Sequence, residues 1–368
     1  MPESLTPAQL ELREKAAAFA REELLPRRDG ADQARIEILN AAKAASLFTM
    51  TQPKAFGGSE ASTLELSIVR DELAAHNPPF LHTVFGPGPG VLAGVGEPLK
   101  TTHLAPLIAG DKKSAFGFTE PDEAPRATWG VLDGDELIVN GQKSYVTGGA
   151  SADFINTLVQ IDEHGPALVV IDTATEGVER VRDFCSLDGS AHAAFEFHDV
   201  HIPKTYIIGQ PGEGLPRAMK QIGDTRLAIA ANCVGWMRWL LDYLTDHLKA
   251  PTRGGKTRGD KEGVRLRYAE LRIKAYAARS MLYRTARLAD AGENIVNEGI
   301  ACKVFASEAV GEIVDTSIQL VGGVALIEGH PLETLYRQVR SLRLAEGGSD
   351  VLRLNLARGK LELNKGTI

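Results

Sequence analysis

Between Ile222 and Leu248, apolar side chains return every three or four positions: Ile222, Ile229, Cys233, Met237, Leu240, Leu244 and Leu248. That spacing is one face of a single α-helix, and about 27 residues of it make a rod roughly 40 Å long. A rod of that length buries its stripe only against other long helices, which predicts an antiparallel bundle. The rest of the C-terminal part supplies the partners. Helical patterns run over about 264–291 and 297–320, a short one lies near 332–342, and a last one runs from 349 to about 363. The stretch 251–263, rich in Gly, Lys and Arg, reads as a solvated loop between two of these helices.

The first third is also helical in pattern. Leu10, Leu12, Ala16, Phe19 and Ala20 recur before Pro26, and Leu64, Leu66, Val69, Leu73 and Ala74 recur before Asn77-Pro78-Pro79. A third pattern, Leu99 to Ile108, is closed by Gly110. From Ser114 to Gly209 the period changes. Glu136 to Val139 before Asn140-Gly141, Ala167 to Ile171, and Phe195 to Val200 are β-rich runs between turn residues. The expectation is a mostly α chain with a central β-domain.

Composition narrows the partners. The chain has 368 residues, 43% of them hydrophobic, with a net charge of −7 and a pI near 5.8. Such a balance argues against nucleic acid as a partner. No apolar run reaches the length of a membrane span, and the first residues have no basic and apolar signal pattern. Cys185, Cys233 and Cys302 cannot all pair, which fits a reducing cytoplasm.

Near the C-terminus, Leu344-Ala345-Glu346-Gly347-Gly348-Ser349-Asp350-Val351 sets one carboxylate between an apolar stretch and two glycines. A Ser-Asp pair suited to capping a helix follows. A lone acid among apolar neighbours and pliable backbone can serve as a base in a dry pocket. Burial without a cationic partner raises a carboxyl pKa, by up to roughly 3–5 units at the extreme.

Several stretches together resemble the acyl-CoA dehydrogenases. Phe116-Gly117-Phe118-Thr119-Glu120-Pro121 and Leu137 to Gly149 are similar to the flavin-side signature of that family. Ala55-Phe56-Gly57-Gly58 and Leu104 to Gly110 echo its N-terminal domain, and Gln319-Leu320-Val321-Gly322-Gly323 and Ala345 to Ser349 its C-terminal motifs. The resemblance implies an N-terminal helical domain (1–113), a β-barrel-like middle domain (114–212) and a C-terminal four-helix bundle (213–368), with FAD between the last two. It implies oxidation of an acyl-CoA thioester to a 2,3-enoyl-CoA in fatty acid or lipid catabolism, an electron-transferring flavoprotein as acceptor, and a homo- or heterotetramer.

Residue by residue, the resemblance makes Glu346 the α-proton base, with its backbone N–H polarising the thioester carbonyl. Phe116, Phe118, Thr119, Tyr145, Thr147, Arg253, Gln319, Gly322, Gly323, Gly348 and Asp350 fall at cofactor positions. Thr119 and Thr147 would bond the isoalloxazine edge, and Tyr145 stands where the family usually has a stacking tryptophan. Arg226, Ala345 and Gly347 fall at the substrate, although a structural ion pair is as good a reading of Arg226. Asp350 either caps the last helix or touches FAD.

Three departures matter. Asp122-Glu123-Ala124-Pro125-Arg126 replaces the usual Gly-x-Gly-Ser-Asp, so substrate preference is expected to differ. Thr252 to Gly259 keeps a basic side chain but lacks the family's aromatic anchor, and Ala325 stands where a third glycine is usual. Two alternatives therefore stay open: a subunit of a heteromeric dehydrogenase with an incomplete flavin site, or a flavin oxidase or monooxygenase. No metal is expected, since His198 and His201 lie three apart on a strand. A phosphate-binding loop, a Gly-x-Ser-x-Gly nucleophile and a Rossmann unit are also missing.

Overall fold

Local caps fix where the first helices begin. In the computed structural model, which describes residues 4–27, 32–252 and 254–366, helix α1 (Pro7–Phe19) opens on a capping box between Thr6 and Gln9. Helix α2 (Asp32–Ala44) follows, and α3 (Thr63–Ala74) opens on a second box, Ser62 with Glu65. The pattern from Leu99 to Ile108 is helical as expected, unbroken from Leu99 to Ala109 and closed by Gly110 in left-handed backbone, but its winding changes on the way. One π-type turn, Lys100–Leu104, leads into α4 (Ala105–Ala109), which is only five residues long. Pro106 has no N–H to donate, so the hydrogen-bond ladder lacks one rung there.

The chain separates into two units: Met1–Met50, Ala61–Phe85 and Gly223–Ile368 form one, and Thr51–Glu60 with Gly86–Ile222 form the other. The second carries eight strands: β1 (Ser114–Gly117), β2 (Trp129–Asp133), β3 (Glu136–Thr147), β4 (Phe154–Ile161), β5 (Gly165–Asp172), β6 (Val178–Cys185), β7 (Ala191–Pro203) and β8 (Ile207–Ile208). They form one sheet in the order β6-β7-β3-β2-β4-β5-β8, with β1 beside β4. Alternation along β4 and β5 feeds two cores. Ile155, Val159, Val169 and Ile171 join Phe195, Phe197 and Val200, while Phe154, Leu168 and Val170 join Leu92, Leu104 and Ala218.

Asn140-Gly141 does not turn the chain, as the sequence suggested. β3 runs straight through it against β7, and the register shifts between Val139 and Gly141. Gly141 sits at φ 137°, where an added Cβ would lie 2.6 Å from the Thr128 Cα. The glycine therefore makes a β-bulge instead of a turn. A second shift, between Lys143 and Val146, coincides with Tyr145 at φ 54°.

The other unit holds most of the long helices. These are α5 (Gly214–Lys249) from Gly223 onward, α6 (Glu262–Asp290), α7 (Val296–Val321), α8 (Pro331–Ser341) and α9 (Ser349–Leu361). Leu240 and Leu244 of α5, Leu282 of α6, Val310 and Ile313 of α7 and Leu335 of α8 share one core with Ile68 and Leu73 of α3. Inside it, Asp71 is fully buried. Its carboxylate accepts from Arg238 (2.9 Å), Arg279 (3.1 Å) and the Tyr283 hydroxyl (2.9 Å), joining α3, α5 and α6. Among the described residues, no helix is long and apolar enough to cross a membrane.

Candidate active site

The loop between α8 and α9 is wound tightly by its own backbone. Leu344 and Ala345 N–H groups donate to the Ser341 carbonyl (2.9 and 3.0 Å), and Ser349 N–H to the Arg343 carbonyl (3.0 Å). Glu346 and Gly347 then adopt φ of 55° and 105°. Two consecutive left-handed residues are costly unless neighbours hold them. Two side chains do so. Arg226 Nε of α5 donates to the Glu346 carbonyl at 2.9 Å. Lys303 Nζ of α7 donates to the Gly347 carbonyl at 2.9 Å and to the Arg343 carbonyl at 3.4 Å.

The Glu346 side chain is half-buried. Burial raises its pKa above the ordinary value, and the charges of Arg226 and Lys303 oppose that rise. The sequence reading foresaw the burial but not the two cations. Arg226 Nε is engaged by the loop backbone, not by a carboxylate ion pair. A side chain at Gly347 is strained by its φ of 105°, and its Cβ would also press Leu352 Cδ2 at 2.9 Å. Gly347→Ala is therefore expected to destabilise the unit by about 1–3 kcal/mol. Thermal unfolding followed by circular dichroism would show it, and an unchanged melting temperature would refute the strain argument.

Gly348 is the N-cap of α9, with no side-chain cap. Ser349 and Asp350 lie in the first turn instead of capping it. The Asp350 side chain is fully exposed and sits 3.5 Å from Arg353. Gln319 is exposed near the end of α7, and Gly322 ends that helix at φ 97°, its N–H donating to the Ile318 carbonyl at 2.8 Å. Gly323 is exposed beside it. Arg253 lies outside the described residues.

On the sheet, a second group forms around β1 and β3. The rings of Phe116 and Phe118 stack with centroids 5.9 Å apart. Ser144 N–H donates to the Thr119 carbonyl at 2.9 Å, which ties that segment to the bulge. Lys143, almost wholly buried, fastens it further, with Nζ 2.7 Å from Glu120 Oε1 and 3.3 Å from the Phe118 carbonyl. The same Glu120 oxygen accepts from Thr128 N–H at 2.7 Å. Burial pushes the Glu120 pKa up, but its bonds to Lys143 and Thr128 outweigh this and leave it lowered. Sequence reasoning missed Lys143 and Lys303. The signal for Lys303 was a lysine on the stripe of α7 that also carries Ser307, Val310 and Ser317.

The bulge turns Tyr145 outward, 65% exposed, edge-on to Phe184 at 5.4 Å. Thr147 and Thr119 are exposed, and Thr147 Oγ1 lies 3.2 Å from His192 Nδ1. The Ser144 hydroxyl is buried with no hydrogen-bond partner. An exposed aromatic ring beside the exposed hydroxyls of Thr119 and Thr147, the second already bonded to His192, and an orphaned buried hydroxyl suit a planar heteroaromatic ligand with polar edges. These residues fit a flavin.

Two other features gather charged side chains. A cavity of about 550 Å³ lies over α7 and α8, lined by Glu308, Glu312, Asp315, Arg340 and Arg343 among others. Glu346 is not in its wall, which mixes these charged groups with Val314, Tyr336 and Val339. His198 Nε2 sits 3.2 Å from Glu196 Oε2 with Glu179 nearby, whereas His201 pairs with Glu136. The two histidines thus go to different carboxylates, and the first cluster is largely exposed.

Comparison with known proteins bears on the family and the fold. Residues 6–111 match the acyl-CoA dehydrogenase N-terminal domain, and residues 212–361 the acyl-CoA dehydrogenase C-terminal domain. The chain is 29% identical to the caffeyl-CoA reductase-Etf complex subunit CarC of Acetobacterium woodii, over 86% of this chain and 87% of that one. It is 27% identical to a 3-(aryl)acrylate reductase of Clostridium sporogenes, over 95% and 98%. The solved structure of PigA with FAD and proline superposes with a TM-score of 0.86 at 22% identity, covering 99% of this chain and 100% of that one. Two family domains in order on this fold, with an acid held between helices and an aromatic shelf suited to a flavin, establish the chain as an acyl-CoA dehydrogenase-family oxidoreductase.

Proposed function

We propose that this protein is an FAD-dependent acyl-CoA dehydrogenase that introduces a 2,3 double bond into an acyl thioester, with Glu346 as the base. The observation that carries the reading is the half-buried Glu346 carboxylate, whose pKa burial raises, on a loop fixed by Arg226 and Lys303. A carboxylate in that state is a stronger base than one in water. Glu346 takes the α-proton, and the electron pair left at the α-carbon becomes the double bond as a hydride leaves the β-carbon. FAD, when bound, supplies the acceptor for that hydride. The Glu346 backbone N–H donates to the thioester carbonyl and makes the α-proton more acidic. Tyr145, Thr119 and Thr147 would hold the ring system; Phe116 and Phe118 would back it; Gln319, Gly322, Gly323, Gly348 and Asp350 would meet the rest of the cofactor. Ala345 and Gly347 would flank the thioester, and Arg226 would reach it through the loop it holds.

The exposed apolar side chains of α9, Val351, Leu354 and Leu361, support assembly into a tetramer. The Etf-complex name of one relative supports an electron-transferring flavoprotein as redox partner. Two relatives are named as reductases, which favours a second reading. In it the same residues run in reverse, and Glu346 returns a proton to the α-carbon of an enoyl thioester.

The test is an absorption spectrum of the purified protein. Flavin bands are expected, and anaerobic acyl-CoA should bleach them. Re-oxidation of the bleached protein by an enoyl-CoA would favour the reductive direction. A colourless protein that takes up no FAD would refute both readings.

A further inference from the structure

We propose that Lys303 is a positioning residue for Glu346: its ammonium, bound to the carbonyls of Gly347 and Arg343, holds the loop so that the carboxylate keeps one place and one electrostatic setting. The inference deepens the reading of Glu346 as base and rests on it.

Lys303 is fully buried in the middle of α7. A buried lysine without a carboxylate is expensive, and none lies within ion-pair distance of Lys303 among the described residues. Glu308, one turn on along the same helix, is engaged by Arg353 instead. The ammonium is satisfied by main-chain oxygens, at 2.9 Å from Gly347 and 3.4 Å from Arg343. Burial lowers its pKa to about 8, so it remains mostly charged at neutral pH.

The loop has a specific need for such a donor. Glu346 and Gly347 both occupy left-handed backbone, and that arrangement turns their carbonyls inward. Arg226 meets the first carbonyl and Lys303 the second. The two donors come from different helices, α5 and α7, and close on consecutive peptide groups. Leu352, packed on Ile300 and Val304 of α7, secures the far side of the loop by apolar contact. Charge-assisted bonds of this kind are stronger than neutral ones, so losing one releases the strained pair.

The same ammonium acts through space. The titratable and charged groups facing Lys303 are Cys233 and Arg226 from α5, Glu346 from the loop and Glu308 from its own helix. Those facing Glu346 are Arg226 and Lys303. Removing the lysine charge therefore raises the Glu346 pKa further and leaves less of the base ionised at a given pH.

Lys303→Met tests this, with Lys303→Arg and Glu346→Gln prepared in parallel as flavin-loaded protein. Rapid-mixing absorbance with acyl-CoA gives the rate of flavin bleaching across pH. For Lys303→Met the rate should fall about 100-fold, the scale of a misplaced catalytic group, and its pH midpoint should rise. Lys303→Arg, which keeps charge and donors, should return the midpoint to the wild-type value. A purely structural lysine would lower the melting temperature but leave the midpoint unmoved. Folded Lys303→Met with wild-type rate and midpoint, beside an inactive Glu346→Gln, would overturn this inference alone. Wild-type bleaching by Glu346→Gln would remove Glu346 as base and take the inference with it. Should Lys303→Met fail to fold, Lys303→Gln is read by the same two criteria.

Discussion

Glu346→Gln should remain folded and yellow while its flavin bleaching by acyl-CoA slows by roughly 10²–10⁴-fold, the usual contribution of a positioned general base. The amide keeps the size and half-buried position of the side chain but cannot accept a proton. Stability should move the other way. Because burial raises the folded-state pKa of Glu346, the ionised group opposes folding at neutral pH. Its contribution to stability is fully present below the unfolded pKa, about 4.3, and is lost as pH rises through the folded value. Glu346→Gln is therefore expected to melt no lower than wild type at neutral pH, any advantage vanishing near pH 4. A variant that bleaches at the wild-type rate would move proton abstraction to another group.

The largest expected loss of stability is at Asp71. Asp71→Ala leaves Arg279 and the Tyr283 hydroxyl without their carboxylate, and Arg238 with only Glu72, 3.0 Å away. Removing one partner from a buried ionic cluster typically costs about 3–5 kcal/mol. Urea unfolding followed by circular dichroism measures it. A loss below about 1 kcal/mol would mean that water reaches the cluster and that α3, α5 and α6 are joined by apolar packing alone.

Helices were legible wherever a long stripe had to be buried. The run from Ile222 to Leu248 could only be one helix, and the structure extends it back to Gly214. That first part serves the other unit: Ala218 is buried there, and the Gln221 side chain accepts from Val91 N–H at 2.7 Å. Such a dual allegiance leaves no mark in a hydrophobic period. Asn140-Gly141 reads as turn residues between strands because Asn-Gly is a strong turn signal, and only the approach of Thr128 reveals the bulge. Pro106 did not interrupt the pattern from Leu99 to Ile108, but nothing in its apolar spacing showed the change there from a π-type turn to an α turn. The acid of the candidate site was legible, since Glu346 stands between apolar residues and glycines. Its electrostatic surroundings were not. Arg226 and Lys303 lie 120 and 43 positions upstream of Glu346, and nothing in the local sequence says that their side chains end on the Glu346 and Gly347 carbonyls.

The single Glu120 oxygen that receives both Lys143 and Thr128 has a consequence for what the neighbouring segment tolerates. It pins the two ends of residues 121–127, most of which are exposed, so that this segment bridges a fixed frame. Asp122, Glu123 and Pro125 face solvent, so substitutions there are expected to leave the flanking strands intact, whereas Arg126 is tied back to Asp162 and lies over the Trp129 ring.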